Sequence, residues 1–511
     1  MADPTPLETD VNIDRRKLLA AGAGGALSLA VPGISFASSR PQLTHGIQAG
    51  DVTADSAVVW TRADRAGEMI VEVADRPDFN GARTIRGPRL NERHDFTGKV
   101  RVKGLEPGSV VHYRVRAEGE RSSQDLTGSF TTAPDAPQDI RFQWSGDLAG
   151  QGWGINPDQG GYRIFQTMAE TQPDFFICSG DFNYADGPLT DTVTLPDGTT
   201  WRNTVTEEKR KVAETLDEYR GQYKYNLIDD NLRAYLANVP MINQWDDHEV
   251  VNNWYPGEIL DLPAYTEKNV DVLATRARQA FGEYTPSSLD CDGEGRIYRR
   301  IAYGPLLDVF VLDMRTFKDA NDANGEPTGQ ILGQTQLSWL KRELRRSKAT
   351  WKVIAADLPI GLIVPDGSAA QEGIAQGEDG SPLGREAEIA DLLSYAKRKG
   401  VKNMVWLTAD VHYTAAHHYS PDRAAFGDFD PFWEFVSGPL NAGGFGPNKL
   451  DGTFGPEAVF VKAPPTANTS PAGGYQFYGE VNIDAETEAF EVSLNDLDGN
   501  TLFTQTIEPA A

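Results

Sequence analysis

Cysteine is almost missing from this chain: Cys178 and Cys291 are the only two in 511 residues. Two thiols could pair in an oxidising compartment, but nothing in the sequence demands it, and a disulfide-stapled framework is excluded. Cys178 lies in the apolar run Phe175-Phe176-Ile177-Cys178 and reads as a buried, inert thiol. Basic charge is also short, with 48 Lys and Arg against 74 Asp and Glu, a formal net charge of −26. Such a field repels nucleic acid and anionic lipid surfaces on the whole, so a nucleic-acid-binding role is not expected. No apolar run is long enough for a stable membrane anchor. Internal repeats are absent, and so is a zinc-protease histidine signature. The stretch Gly443-Gly444-Phe445-Gly446-Pro447 lacks the Lys-Ser/Thr that would complete a phosphate loop. What remains, 40% hydrophobic and 24% charged, is ordinary globular composition, and the length predicts two or more domains.

The first residues read as an address. Asp14-Arg15-Arg16-Lys17-Leu18-Leu19 opens a weakly hydrophobic Ala/Gly/Leu stretch that runs to Val31, with small residues at Ser35 and Ala37. Paired arginines before a short apolar segment predict a twin-arginine signal peptide over residues 1–37, and hence a periplasmic or secreted protein that engages the twin-arginine export machinery. That route carries folded proteins, often with a metal already inserted, so a metalloprotein is expected.

Two patterns follow. Over residues 41–134, short alternating runs such as Ala57–Thr61, Ile70–Val73 and Val111–Val115, with turns such as Glu106-Pro107-Gly108 between them, predict a small Ig/fibronectin-like β-sandwich. After the stiff link Ala133-Pro134-Asp135-Ala136-Pro137, apolar strands alternate with amphipathic helices over residues 138–508, which predicts a layered α/β domain. Expected strands are Phe142–Trp144, Phe175–Cys178, Met241–Trp245, Leu307–Leu312, Trp351–Ala355 and Met404–Leu407. Expected helices include Glu207–Leu227, Gln334–Ser347 and Arg385–Arg398.

Chemistry sits where these strands end. Phe142–Trp144 runs into Asp147, and Phe175–Cys178 into Gly180-Asp181-Phe182-Asn183-Tyr184. Met241–Trp245 ends in Asp246-Asp247-His248-Glu249, Trp351–Ala355 in Asp357, and Met404–Leu407 in Asp410-Val411-His412. Five such strands aim carboxylates and imidazoles at one sheet edge, where open α/β sheets bind ligands. So many like charges cannot share a site without cations. A carboxylate-rich donor set suits hard di- or trivalent metals.

These motifs, in this order, resemble those of the calcineurin-like metallophosphoesterases, and within that superfamily the alkaline phosphatase D (PhoD-like) family. The closer resemblance rests on His45-Gly46-Ile47-Gln48-Ala49-Gly50-Asp51 with Val59-Trp60-Thr61-Arg62, on Gly180-Asp181-x-x-Tyr184, on Trp245-Asp246-Asp247-His248-Glu249-x-x-Asn252-Asn253, on Leu312-Asp313-x-Arg315 and on Ala409-Asp410-Val411-His412. It covers nearly the whole chain after the leader. It implies a calcineurin-like catalytic domain of β-sheets flanked by helices, preceded by the sandwich, and a metal-dependent alkaline phosphatase or phosphodiesterase. Asp147, Asp181, Tyr184 and His412 would then hold one ion, implied to be Fe3+ by the tyrosine. Asp181 would bridge to a second ion held by Asp247, Asp357 and Asp410, implied to be Ca2+ with Mn2+ or Mg2+ as alternatives. In many family members a thiolate stands where Asp147 stands, and an amide is common near Asp357. The implied mechanism is attack of a metal-bound hydroxide on phosphorus, with His248 as general acid or phosphate donor and Arg315 neutralising phosphate charge.

The expected partner is a small phosphate mono- or diester, or a phospholipid if Trp153, Trp254, Tyr255 and Phe445 form an apolar rim. Two alternatives stay open on sequence: a phospholipase-type phosphodiesterase on the same site, and a non-catalytic, metal-stabilised binding protein. His417 and His418 face opposite ways on a strand and stay outside the metal set. His45, His94 and His112 belong to the sandwich and read as structural.

Overall fold

A computed structural model describes residues 40–510 except 120, 121, 290, 292 and 294, so the expected leader 1–37 lies outside the described residues. Seven strands open the fold: β1 (Leu43–Gly50), β2 (Ser56–Ala63), β3 (Gly67–Ala74), β4 (Arg83–Leu90), β5 (Thr97–Lys103), β6 (Val110–Glu118) and β7 (Leu126–Thr131). β4, β3, β6 and β7 form one antiparallel sheet in that order, and β1, β2 and β5 lie side by side in a second. Alternating apolar residues of both, among them Val59, Val71, Val102, Tyr113 and Val115, make an all-β core of their own.

The second of these sheets does not stop there. After β8 (Ile140–Ser145), β9 (Phe175–Cys178) and β10 (Met241–Asn243), the Gly50 end of β1 pairs parallel with β10 at Met241. The resulting nine-stranded sheet runs β20-β19-β18-β8-β9-β10-β1-β2-β5, where β18 is Phe477–Ile483, β19 Phe490–Asp496 and β20 Thr501–Ile507. A seven-stranded sheet faces it, built from β11 (Arg299–Tyr303), β12 (Leu307–Val311), β13 (Trp351–Ala355), β14 (Met404–Thr408), β16 (Phe432–Val436), β15 (Thr414–Tyr419) and β17 (Pro456–Lys462) in that spatial order. Four of its strands, β12, β13, β14 and β16, run parallel.

Strand periodicity explains the layering. In β9, Phe175 and Ile177 point into the core between the sheets, while Phe176 and Cys178 point outward. In β12, Val309 and Val311 take the inner face and Phe310 the outer. Strands buried on both faces read as unbroken apolar runs, which is why they are legible in the sequence. Helices cover the outer faces: α1 (Leu216–Asn226) and α2 (Val270–Tyr284) on the nine-stranded sheet, α3 (Gly333–Arg346) and α4 (Glu386–Lys399) on the other. This is the layered α/β architecture expected, with a small all-β unit in front.

One helix differs from expectation. The span Glu207–Leu227 is a short 3-10 turn, Glu207–Arg210, followed by α1. Lys211 is extended, and Thr215 starts a new helix with a capping box to Glu218. The Thr-x-x-Glu spacing at 215–218 carries that signal. The strand expected over Met241–Trp245 also ends early, at Asn243, although the Gln244 N–H still donates to the Cys178 carbonyl of β9.

Candidate active site

The loops after the parallel strands β9, β10 and β14 deliver acids and imidazoles to one cleft of about 390 Å3. Asp181, Asp247, His248, Asp410 and His412 line it, with Glu372, Asn252 and Asn253 at its sides and Val364, Pro365, Val411 and Phe445 as an apolar margin. The expected aromatic rim is reduced to Phe445. Trp153 and Trp254 are buried in packing, and Tyr255 does not line the cleft.

The loops that carry the acids are held in unusual backbone. Asp147, Asp181, Asp410 and His412 all have positive φ, at 60°, 50°, 66° and 60°. Non-glycine residues avoid this region, and surrounding structure must enforce it. Glu249 supplies much of that force here. Its carboxylate accepts the backbone N–H groups of Asp181 (3.1 Å), Phe182 (2.7 Å) and Asp246 (2.7 Å), which clamps the loops after β9 and β10 together. Gly180 (φ +98°) permits the close approach, since a Cβ there would lie 2.4 Å from the Asp246 Cβ.

Three acid groupings result. Oxygen or nitrogen atoms of Asp147, Asp181 and His412 lie within 4.8 Å of one another, as do those of Asp181, Asp247 and His248, and those of Asp246, Asp247 and Asp410. Asp147 is 1% exposed, yet neither of its carboxylate oxygens has a hydrogen-bond partner. One oxygen each of Asp246 and Asp357 is likewise buried and unpartnered. A buried carboxylate without a partner is costly. Burial first, and the neighbouring acids second, push Asp147, Asp181 and Asp357 well above the usual carboxylate range. Asp410 is raised by burial and by Glu372 and Asp246. Cations would reverse every one of these shifts, so the donor set fits metal ions.

The imidazoles are prepared differently. His412 Nδ1 lies 2.5 Å from the Gly443 carbonyl, which can only accept, so Nδ1 carries the proton and Nε2 keeps its lone pair. The Tyr184 hydroxyl lies 2.8 Å from that Nε2, which places it beside the first grouping as expected. Burial drops the His412 pKa to about 4 and keeps the ring neutral, as a ligand must be. His248 is the opposite case. Burial alone would lower its pKa, but Asp186 and Asp247 outweigh it and raise the value to about 10. Its Nδ1 sits 2.7 Å from Asp186 Oδ1, and Asp186 Oδ2 takes the Asn252 backbone N–H at 2.8 Å.

Asp186 and Glu372 are the functional residues the sequence reading missed. Asp186 lies only two residues beyond Tyr184, and the carboxylate following the Gly-Asp motif was its signal. Asp246 and Glu249, which flank Asp247-His248 in sequence, are engaged by Arg315 and by backbone N–H groups respectively. Glu372 comes from a short hairpin, Pro365–Asp366 with Ala370–Gln371, that carries no strand signature in the sequence.

Arg315 is a correction. Its side chain is 0% exposed and does not line the cleft. The guanidinium lies beneath the floor, donating to Asp246 (2.5 Å), Asp357 (3.1 Å), Asp410 (3.0 Å) and Glu372. It acts as an internal counter-ion for acids that would otherwise repel, and it leaves Asp357 paired rather than within any of the three groupings. Asp313 is also occupied, accepting from the Trp245 indole at 3.0 Å.

Two expected outcomes arise from this packing. A Cβ on Gly438 would lie 2.0 Å from Asp147 Oδ2. Gly438→Ala is expected to displace that carboxylate, costing about 1–3 kcal/mol by overpacking and reducing metal content, read by thermal melting and elemental analysis. Lys209, whose ammonium donates to the Tyr184 carbonyl at 2.8 Å, is lowered to about 7 by burial. The folded protein then releases this proton near pH 7, whereas the unfolded chain holds it to about 10.4. Stability from this group therefore rises with pH across that window. Wild type should gain stability over Lys209→Met between pH 7 and 10, and a constant difference in denaturant melts would refute the assignment.

Comparison with known proteins agrees with this geometry. The family model for the PhoD-like phosphatase matches residues 142–494, and that for the PhoD-like phosphatase N-terminal domain matches residues 28–134. Alkaline phosphatase D of Bacillus subtilis (strain 168) is 29% identical over 476 residues, covering 85% of this chain and 77% of that protein. Among solved structures, one described as the structure of PhoD superposes with a TM-score of 0.68 at 24% identity, covering 93% of each chain. A purple acid phosphatase from yellow lupin (Lupinus luteus) seeds superposes at 0.56 and 13% identity, covering 92% of this chain and 74% of that one. With a metallophosphoesterase fold, an acid-lined cleft at the strand ends and a family match over most of its length, this chain belongs to the PhoD-like phosphatase family.

Proposed function

We propose that this phosphoesterase is an exported, metal-dependent enzyme that cleaves small phosphate mono- and diesters. The observation that carries the reading is the buried, unpartnered carboxylate of Asp147 beside Asp181, His412 and Tyr184, next to a cleft lined by the His248 imidazole. Asp147, Asp181, Tyr184 and His412 would hold one ion, for which the phenol favours Fe3+. Asp181, Asp247 and Asp410 would hold the second, with Asp357 alongside. Carboxylates there favour Ca2+, with Mn2+ or Mg2+ as substitutes. Bound cations would supply Lewis acidity toward the phosphoryl oxygens and lower the pKa of a coordinated water.

The chain's own residues do the rest. With Nδ1 given to Asp186, His248 retains its Nε2–H to donate to a phosphoryl or leaving-group oxygen. His412 and Glu249 position the donors, and Arg315 holds the acids of the floor together from below. The apolar margin at Val364, Pro365, Val411 and Phe445 would receive an organic leaving group.

The test is turnover of p-nitrophenyl phosphate and bis-p-nitrophenyl phosphate, with elemental analysis on the same sample. Hydrolysis with iron and calcium present, lost on chelation, is expected, and the monoester to diester ratio assigns the subclass. A fully metallated protein inactive on both would overturn the reading. The same proposal includes export: residues 1–37 as a twin-arginine leader, 41–134 as the sandwich and 138–508 as the catalytic domain of a periplasmic or secreted protein. Replacing Arg15 and Arg16 together by Lys should retain the precursor in the cytoplasm.

A further inference from the structure

The strongly negative charge of this chain is not evenly spread. Residues 341–352 and 397–402 carry ten Lys or Arg and a single acid, Glu343. The first segment ends α3 and begins β13, and the second ends α4 and leads toward β14. These are the amino ends of the strands whose carboxyl ends bear Asp357 and Asp410. The basic surface thus lies at the far edge of the seven-stranded sheet from the cleft, about 17 Å of strand away.

Cations in a helix's last turn complement its dipole, which accounts for their sign. It does not account for their convergence from two helices and a strand start on one cavity. That cavity, of about 550 Å3, is lined by Arg345, Lys352, Lys399 and Lys402 together with the hydroxyl residues Ser347 and Thr350. Among the described residues, its single acid is Glu488, which takes the Thr350 hydroxyl at 2.9 Å. Lys402 pairs with Asp430 at 3.0 Å. Among the described residues, no ion pair engages Arg345 or Lys399, and the buried Lys352, opposite Asp308 in the strand register, donates to the Thr350 carbonyl at 3.3 Å. A second depression along α3 shares Arg345 and adds Lys341, paired with Asp391, and Arg342 and Arg346, both paired with Glu343, so Arg345 is the unpaired cation that joins the two into one track.

We propose that this track binds a linear, phosphate-bearing polyanion and tethers the enzyme to it, apart from the catalytic cleft. A discrete cavity joined to a second one suits a chain of charges rather than a flat bilayer. Large exposed apolar residues, which would anchor a protein in lipid, occur at Val110, Ile228, Ile259, Leu262, Val459 and Val461, and none lies on the track. The acidic surface elsewhere does not forbid the contact, because charges beyond about 10 Å are screened at moderate salt.

The test is calorimetric titration of the mature protein with short-chain linear polyphosphate, with excess orthophosphate present throughout to occupy the cleft. Wild type should bind with an affinity that falls steeply as salt rises, since each phosphate contact releases counter-ions. The exposed double variant Arg345→Glu/Lys399→Glu should bind at least about tenfold more weakly, with an unchanged melting temperature and unchanged turnover of p-nitrophenyl phosphate. Equal affinity in the two proteins, or no binding by wild type, would overturn the proposal. So would wild-type binding to phosphatidylglycerol vesicles but not to polyphosphate, which would make the track a membrane contact instead.

Discussion

Asp181→Asn is expected to abolish turnover and most metal binding while leaving the chain folded. Asp181 belongs to two of the three acid groupings, so in the proposed two-metal site its loss would remove a donor from each ion at once. Changes to groups that merely orient a ligand cost 10–100-fold in metal affinity or activity. Losing a shared ligand should exceed that, and a fall of on the order of a thousandfold or more in kcat/KM is expected. The stability outcome has the opposite sign. Burial and the neighbouring acids raise the Asp181 pKa in the metal-free protein. The folded state therefore holds this proton more tightly than the unfolded chain, and stability is lost as pH rises from the ordinary carboxyl value toward the raised one. Asn removes that penalty. Metal-free Asp181→Asn should melt at or above metal-free wild type at pH 8, and the sandwich, whose core is separate, should be unaffected. Full activity in this variant would sink the site assignment.

His248→Ala should lower kcat by about 10²–10⁴-fold, the usual contribution of a positioned acid, with metal content retained. The retained metal separates a proton donor from a ligand, because His248 lies within 4.8 Å of Asp181 and Asp247. Asp186→Asn supplies the second arm. Asp186 is the nearest carboxylate on the imidazole and the leading cause of its upward shift once burial is overcome. Replacing it lowers the pKa of the imidazolium, so a reaction needing that proton should lose activity at lower pH than wild type does. The alkaline limb of kcat/KM is expected to move down in pH. Identical limbs would make Asp186 a loop fastener, acting only through the Asn252 N–H.

Legibility in the sequence followed the chemistry of burial. Phe175–Cys178 and Leu307–Val311 are buried on both faces, so their unbroken apolar runs stand out, and whatever follows them is pinned to a sheet edge. Asp147, Asp181, Asp247, Asp410 and His412 are therefore legible as a converging set, whereas the break at Lys211 within Glu207–Leu227 is not. Contacts across long separations left no such trace. Asp186 meets His248 from 62 positions away, and Glu372 meets Arg315 from 57. The Gly50 end of β1 joins the sandwich sheet to the catalytic one through a single pairing with Met241 that no local pattern encodes.

By itself, then, the sequence determined the layered α/β class, the all-β unit before it, the order of the acid-bearing loops and the family, because these depend on periodicity and residue type along the chain. Only the tertiary structure decided which acids stay unpartnered, that Arg315 lies among the acids of the floor and not in the cleft, and that Arg345, Lys352, Lys399 and Lys402 converge on one cavity. Those outcomes depend on which charges are brought within a few ångströms of each other and shielded from water, and distance in space is not written as distance in sequence.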